Sequence, residues 1–245
     1  MTRQINRVTL VLIFLMLALI ANLSYIQFFN SNALRNKPGN QRVLLTEYSK
    51  QRGPILINSE PIAQSVATKD ALKYLRKYQS GSVFAAVTGY YSLIYGSSGI
   101  EAATNNVLSG NDDRFFVDRL QQLVANRQPQ GGAVELTINP EAQKIAMSAL
   151  AGRTGAVVAI NPSTGEILAL ASSPSFNPNR LSSHDTQKIQ TYYNHLIDNP
   201  KQPLLNRPLA MSLPPGSTFK LVTAAAALES GAYSPQSQLP GPATI

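Results

Sequence analysis

Residues 213–229 read Leu213-Pro214-Pro215-Gly216-Ser217-Thr218-Phe219-Lys220-Leu221-Val222-Thr223-Ala224-Ala225-Ala226-Ala227-Leu228-Glu229. Two prolines and a glycine bar helix before Ser217 and suit a turn that feeds a helix start. The alanine-rich run then drives helix strongly, and Gly231 ends it. A serine therefore stands at the mouth of a helix with a lysine one turn further on, and residues three apart share a helix face. A serine hydroxyl is a weak nucleophile until a neighbouring base takes its proton, and a lysine with a depressed pKa is such a base. Ser217 and Lys220 thus read as nucleophile and general base for acyl transfer, at a helix N-terminus whose positive field suits a developing oxyanion. The alternative is a Ser-capped helix with a solvated lysine. The Pro-Pro-Gly lead and the small-residue helix favour the catalytic pair.

Pro-Pro-Gly-Ser-Thr-Phe-Lys resembles the active-site serine motif of penicillin-binding proteins and their β-lactamase relatives, whose S-x-x-K serine is acylated by a D-alanyl-D-alanine stem peptide or a β-lactam. Other stretches extend the resemblance. Arg52-Gly53-x-Ile55 is similar to the opening motif of class B penicillin-binding proteins, and Gly99-Ile100-Glu101 with Leu108-Ser109-Gly110 to a second motif of their pedestal. Leu136-Thr137-Ile138 with Gln143 resembles the strand and helix that lead into the transpeptidase domain, and Gly155–Ser172 its first hairpin. With Asn206-Arg207, the pattern is most similar to the actinobacterial PbpA-type branch, which supports septal wall synthesis.

Two departures stand out. Many class B members continue the first motif into an Asp-Arg pair, where this chain has Ile57-Asn58-Ser59-Glu60. The family also places Ser-x-Asn and Lys-Thr-Gly after the nucleophile, and neither follows Ser217 in the 245 residues. Ser109-Gly110-Asn111 and Ser175-Phe176-Asn177 match the first of these by letter only and receive no role. The resemblance therefore implies an N-terminal fragment of a longer enzyme, incomplete for catalysis on its own.

Composition agrees with this class. A hydrophobic share of 44% against 14% charged residues is globular with a membrane contribution. Without cysteine there is no disulfide, thiolate metal site or catalytic thiol. The net charge of +8 comes from scattered basic residues, with no nucleic-acid-binding motif. Anionic membrane and wall polymers suit the same excess.

Val8–Phe29 runs almost wholly apolar behind Arg3 and Arg7, long enough for a bilayer core of about 30 Å. Tyr25, Phe28 and Phe29 sit where an interfacial belt belongs. The leading arginines favour a cytoplasmic N-terminus, against Arg35, Lys37 and Arg42 beyond the span. A cleaved signal peptide is the rival, but Ser31-Asn32-Ala33 is a poor cleavage site and the apolar run is too long for an h-region.

Along the rest of the chain, Asn30–Lys50 reads as a polar connector and Gln51–Ile57 as a turn and short strand. Thr68–Tyr78 has helical spacing. Gly81–Tyr95 leaves strand and loop unseparated, while Ile100–Leu108 and Arg114–Ala125 read as helical. Gln128–Gly132 reads as a linker and Ala133–Ile138 as a strand. An Asn139 cap followed by Pro140 opens a helix to about Leu150. Ala156–Ile160 and Glu166–Leu170 form a hairpin around Asn161–Gly165. Ser172–Pro203 reads as irregular with one short helical stretch, and 240–245 as loop.

Other constellations are weaker. His184 and His195, with Asp185 or Asp198, fail the demands of a catalytic triad and read as surface histidines. Asp112-Asp113 suits a turn or a helix N-terminus. Gly96-Ser97-Ser98-Gly99 lacks the lysine of a phosphate loop. Tyr90, Tyr91 and Tyr95 read as core aromatics, with a partner surface as the second reading.

The expected fold is α+β: a transmembrane helix, a mixed α/β pedestal, and the first part of a penicillin-binding/serine β-lactamase-like domain with an antiparallel sheet and flanking helices. The expected division is a cytoplasmic tail 1–7, an anchor 8–29, a pedestal 30–150 and a truncated transpeptidase part 151–245. The expected activity is D,D-transpeptidation of peptidoglycan through Ser217 and Lys220, with no cofactor, metal or nucleic acid. The expected partners are stem peptides, β-lactams, the membrane and, through the pedestal, divisome proteins, with the bulk of a single-pass protein outside the cell. The alternatives are a membrane-anchored β-lactam sensor or class D-like β-lactamase, for which the pedestal is superfluous, and a non-catalytic pedestal module that docks division proteins.

Overall fold

The computed structural model describes residues 2–29, 47–115, 130–238 and 241. The first element is helix α1, Thr2–Phe28. Within it the span Ile5–Phe28 is 24 residues long, about 36 Å at the α-helical rise, and its most apolar stretch has a mean hydropathy of 2.4. That is enough to cross a bilayer. Of the connector, Asn30–Thr46 lies outside the described residues.

A four-stranded sheet follows, in the order β3-β2-β1-β6. Its strands are β1 (Ile55–Ile57), β2 (Glu60–Ala67), β3 (Tyr74–Tyr78) and β6 (Val134–Leu136). The pair β1–β2 closes through Asn58 and Ser59, with φ of 51° and 65°. Positive φ at both central positions makes the strand-compatible primed turn, and Asn tolerates it. The departure from the family's Asp-Arg pair is thus a tight hairpin turn, which Glu135 Oε1 ties down through the Ser59 N–H at 3.0 Å.

Thr68–Tyr78 is not helical. Its second half is β3, paired antiparallel with β2 from Ala63↔Tyr78 to Ala67↔Tyr74. Arg76 and Tyr78 are buried two positions apart, the strand period, whereas Leu72 and Leu75 had suggested a helical one. Gly81–Tyr95 resolves the other way: Gly81–Thr88 is helix α2, ended by Gly89 at φ 68°. Its β-branched residues take a helix because Phe84, Ala85, Val87 and Thr88 all find buried places around it.

Strands β4 (Tyr91–Ser92) and β5 (Gly96–Ser97) form a small ribbon before the short helices α3 (Gly99–Ala103) and α4 (Asn105–Leu108). A single 3-10 turn covers Asp113–Phe115, and the rest of the helix expected to Ala125 lies outside the described residues.

The expected linker is part of the sheet where it is described. The Gly131 N–H donates to Gln51 O at 2.9 Å and the Gly53 N–H to Leu108 O at 2.8 Å. A Cβ on Gly53 would lie 1.9 Å from Gly132 O, and one on Gly131 1.8 Å from Leu108 O. The glycines are required by backbone packed on backbone, not by flexibility. They deliver β6 parallel to β1, with Ile55 opposite Val134 and Ile57 opposite Leu136.

Helix α5 (Pro140–Ala149) begins as expected, its Asn139 side chain accepting from the Glu141 and Ala142 N–H groups. The hairpin of β7 (Gly155–Ile160) and β8 (Ile167–Ser173) also forms. Gln143, fully buried, joins three elements. Its amide donates to Val83 O (2.8 Å) and Leu170 O (2.9 Å) and accepts from Leu170 N (2.8 Å).

Ser172–Pro203 holds two helices, not one: α6 (Pro178–Leu181) and the 12-residue α7 (Thr186–Ile197), capped by Asp185. Ile189, Tyr192 and Leu196 make a narrow buried stripe that the surrounding Gln, Thr and Asn residues conceal in the sequence. One core gathers Ile55, Ile57, Phe84, Val87, Leu108, Ile138 and Leu170. A second gathers Phe176, Leu181, Ile189, Tyr192 and Leu196. Each such side chain, fully buried, contributes about 1.5–3 kcal/mol.

The chain divides into a unit ending at Pro208 and a unit from Leu209. Helix α8 (Arg207–Ala210) spans the division. The second unit contains a 3-10 turn, Gly216–Phe219, and helix α9, Lys220–Glu229.

Candidate active site

Ser217 lies in the 3-10 turn and Lys220 is the first residue of α9. Gly216 makes the approach at φ 54°, which glycine adopts freely. The Lys220 N–H then donates back to Ser217 O and Thr218 O. In a 3-10 turn residues three apart eclipse one another, so this bond sets the serine and lysine on one edge of the turn. The Thr218 hydroxyl closes the turn onto Pro215 O. Within the second unit both Ser217 and Lys220 are exposed, and among the described residues no hydrogen bond joins their side chains. At the far end Gly231, at φ 71°, stops the helix as expected.

In the first unit the motifs that carry Arg52 and Glu101 meet. Arg52 Nε donates to Glu101 Oε2 and Arg76 Nε to Glu101 Oε1, both at 2.7 Å. Arg52 also reaches Asn105 Oδ1 (2.8 Å) and Glu101 O (2.7 Å), and Arg76 reaches Gly53 O (2.7 Å). Tyr78 Oη donates to the same Glu101 carboxylate at 3.1 Å. Burial, followed by the Glu101 charge, pushes the Tyr78 phenol well up. Sequence reasoning picked out Arg52 and Glu101 separately. Arg76 was missed because its segment read as helix.

His184 is not a surface histidine. Its Nδ1 lies 2.6 Å from Asp70 Oδ2 and its Nε2 3.1 Å from Tyr74 O, with Tyr48 edge-on at 6.2 Å. That geometry ties the β2–β3 turn to the segment before α7 and offers no serine. His195 is exposed on α7, and Asp112 pairs with Arg114 at 2.8 Å. The three tyrosines are taken up in packing. Tyr91 stacks on Tyr48 beneath Arg52, Tyr95 stacks on Tyr193, and Tyr90 meets Phe176 edge-on. Arg207 is buried, its guanidinium held by the carbonyls of Lys201, Gln202 and Leu205.

Residues 52–134 match the family model of the penicillin binding protein A dimerisation domain, and 155–243 that of the penicillin binding protein transpeptidase domain. Peptidoglycan D,D-transpeptidase PbpA of Mycolicibacterium smegmatis is 45% identical over 244 residues, 98% of this chain and 50% of that protein. The chain belongs to the class B penicillin-binding proteins. It is also similar to PbpA of Mycobacterium tuberculosis, at 44% identity over 95% of this chain and 48% of that one. Two solved structures of penicillin-binding protein A from M. tuberculosis align closely. The imipenem acyl-enzyme complex has a TM-score of 0.74 at 47% identity, covering 77% of this chain and 45% of the other. The ceftriaxone complex has a TM-score of 0.75 at 45% identity, covering 82% and 48%. This class B chain thus has the penicillin-binding protein fold and spans about half the length of the curated relatives it matches.

Proposed function

We propose that the protein is a membrane-anchored peptidoglycan D,D-transpeptidase that works through a serine acyl-enzyme at Ser217. Ser217 Oγ attacks the carbonyl carbon of the penultimate D-alanine of a stem peptide while Lys220 takes the hydroxyl proton. The peptide C–N bond breaks and terminal D-alanine leaves as its amine, taking up the proton that Lys220 had accepted. An amine of a neighbouring stem peptide then attacks the ester, forming the cross-link and restoring the hydroxyl. A β-lactam acylates the same oxygen as its ring opens. The observation that carries this reading is the bond from the Lys220 N–H to Ser217 O, which aligns the two residues at the head of α9. Acyl-enzyme structures of the related penicillin-binding protein A support it.

The reading divides the chain into a cytoplasmic tail 1–7, an anchor 8–29, a pedestal 30–150 and a transpeptidase part 151–245. It places the bulk outside the membrane and lets the pedestal dock division proteins. A β-lactam sensor or β-lactamase fits less well, because the segment matching the dimerisation-domain model has no use in either. The test is fluorescent-penicillin labelling of native membranes from wild-type and Ser217→Ala strains. A labelled band that vanishes in the variant is expected. An unlabelled, abundant and correctly inserted wild-type protein overturns the proposal and leaves a docking module.

A further inference from the structure

The chain has 10 tyrosines, and among the described residues two pairs of them stack ring on ring. In Tyr95–Tyr193 the centroids lie 3.7 Å apart with the planes 15° from parallel. Two carbon atoms attract best at about 3.5–4.0 Å, so these rings overlap with little sideways slip. Aromatic pairs prefer offset or edge-on arrangements with centroids about 4.5–7 Å apart, so the surrounding structure holds this pair face to face. Tyr95 ends the turn between β4 and β5, and Tyr193 lies on α7 between Tyr192 and Leu196, which are buried. Tyr95 and Tyr193 themselves are half-buried, so solvent still reaches both.

The other pair differs. The Tyr48 and Tyr91 centroids are 4.8 Å apart, Tyr48 is buried, and the Arg52 guanidinium sits 4.3 Å over the Tyr91 ring. A cation over a ring opposes removal of an electron from it. Burial, followed by the Glu47 charge, also pushes the Tyr91 phenol well up, so its proton leaves less readily. Tyr90 meets Phe176 edge-on and, among the described residues, stacks on no other tyrosine. We propose that Tyr95 and Tyr193 form an oxidative cross-linking site, at which a small one-electron oxidant produces an intramolecular dityrosine. Each ring gives one electron to one equivalent of oxidant and its phenolic proton to solvent. The half-filled orbitals of the two phenoxyl radicals point out of the ring planes, so a face-to-face pair couples along the direction in which it already lies. One C–C bond forms between ortho carbons, and the hydrogen on each joined carbon moves to the oxygen of its own ring, which restores both phenols. The bond ties the β4–β5 turn to α7, and so the segment matching the dimerisation-domain model to the one matching the transpeptidase domain. The chain has no cysteine with which a disulfide could do this. The site is independent of the Ser217 chemistry.

The test irradiates the full chain in detergent with tris(bipyridine)ruthenium(II) and persulfate, which generate a small one-electron oxidant. Monomer is separated from cross-linked oligomers, and its dityrosine is read by fluorescence and by mass spectrometry of tryptic peptides. The expected product joins the peptides containing Tyr95 and Tyr193, with two hydrogens lost. Tyr193→Phe, which keeps the stacked ring without its phenol, is expected to lose the monomer's dityrosine signal, and Tyr91→Phe to keep it. Unfolding in urea before irradiation is expected to remove the preference for this pair. A monomer without dityrosine, or one linked through Tyr48 and Tyr91, overturns the site, as does a full signal from Tyr193→Phe. An undiminished preference for Tyr95 and Tyr193 in urea overturns the role of the stack.

Discussion

Glu101 is wholly buried, and its carboxylate sits between the guanidinium groups of Arg52 and Arg76 while accepting from Tyr78. Desolvation makes such a cluster a weak source of net stability, yet removing one member is costly because it strands the others. Here the removed member would leave two buried guanidinium groups facing each other. Glu101→Ala is therefore expected to lose about 3–5 kcal/mol in urea denaturation. Glu101→Gln, which keeps one acceptor, is expected to lose less. A loss under 1 kcal/mol for the alanine variant would mean that water reaches the cluster and solvates both arginines. The network also joins the motifs that carry Arg52 and Glu101: a strand-leading arginine and a helical glutamate, 49 residues apart, form one contact.

At the scale of elements, Asp70 and His184 join the β2–β3 turn to the segment between α6 and α7 across 2.6 Å. The hydrogen bond from His184, ahead of that from Thr68, holds the Asp70 carboxyl below its usual value. A carboxyl that binds its proton more weakly when folded adds stability above the unfolded pKa, about 3.9, and loses it as pH falls through the folded value. Asp70→Asn is thus expected to lower Tm at pH 6, and the gap to wild type is expected to close below pH 4. A gap unchanged down to pH 3 would separate the tie from the carboxylate charge. These elements also show what the sequence could reveal. The β7–β8 hairpin and the Asn139 cap were legible because turn residues and cap chemistry act locally. The register of β3, the helicity of α2 and the length of α7 were not, because buried partners distant in sequence decide them. At the candidate site the turn through Ser217 and the helix from Lys220 were legible, because proline, glycine and alanine act locally. The tie between His184 and Asp70 was not, because 114 residues separate its members.

For the whole molecule the proposed anchor makes a prediction about the direction in which α1 spans the membrane. Arg3 and Arg7 precede the span, whereas Arg35, Lys37 and Arg42 follow it, so a count of flanking cations favours the far side by one. Position opposes the count, since Arg7 directly adjoins the apolar run and the first hydrophobic segment usually sets orientation. The proposed substrate lies in the wall, which requires residues 47–245 outside. The chain has no cysteine, so one introduced thiol reports its own compartment without background. Ser163→Cys places it in the exposed turn between β7 and β8, and Thr2→Cys at the start of α1. With a membrane-impermeant maleimide on intact spheroplasts, Ser163→Cys is expected to label at once and Thr2→Cys only after lysis. The reverse pattern would put Ser217 in the cytoplasm, where no cross-linking occurs, and would overturn the transpeptidase reading independently of penicillin. Labelling of both before lysis would mean that α1 lies along the surface rather than spanning it.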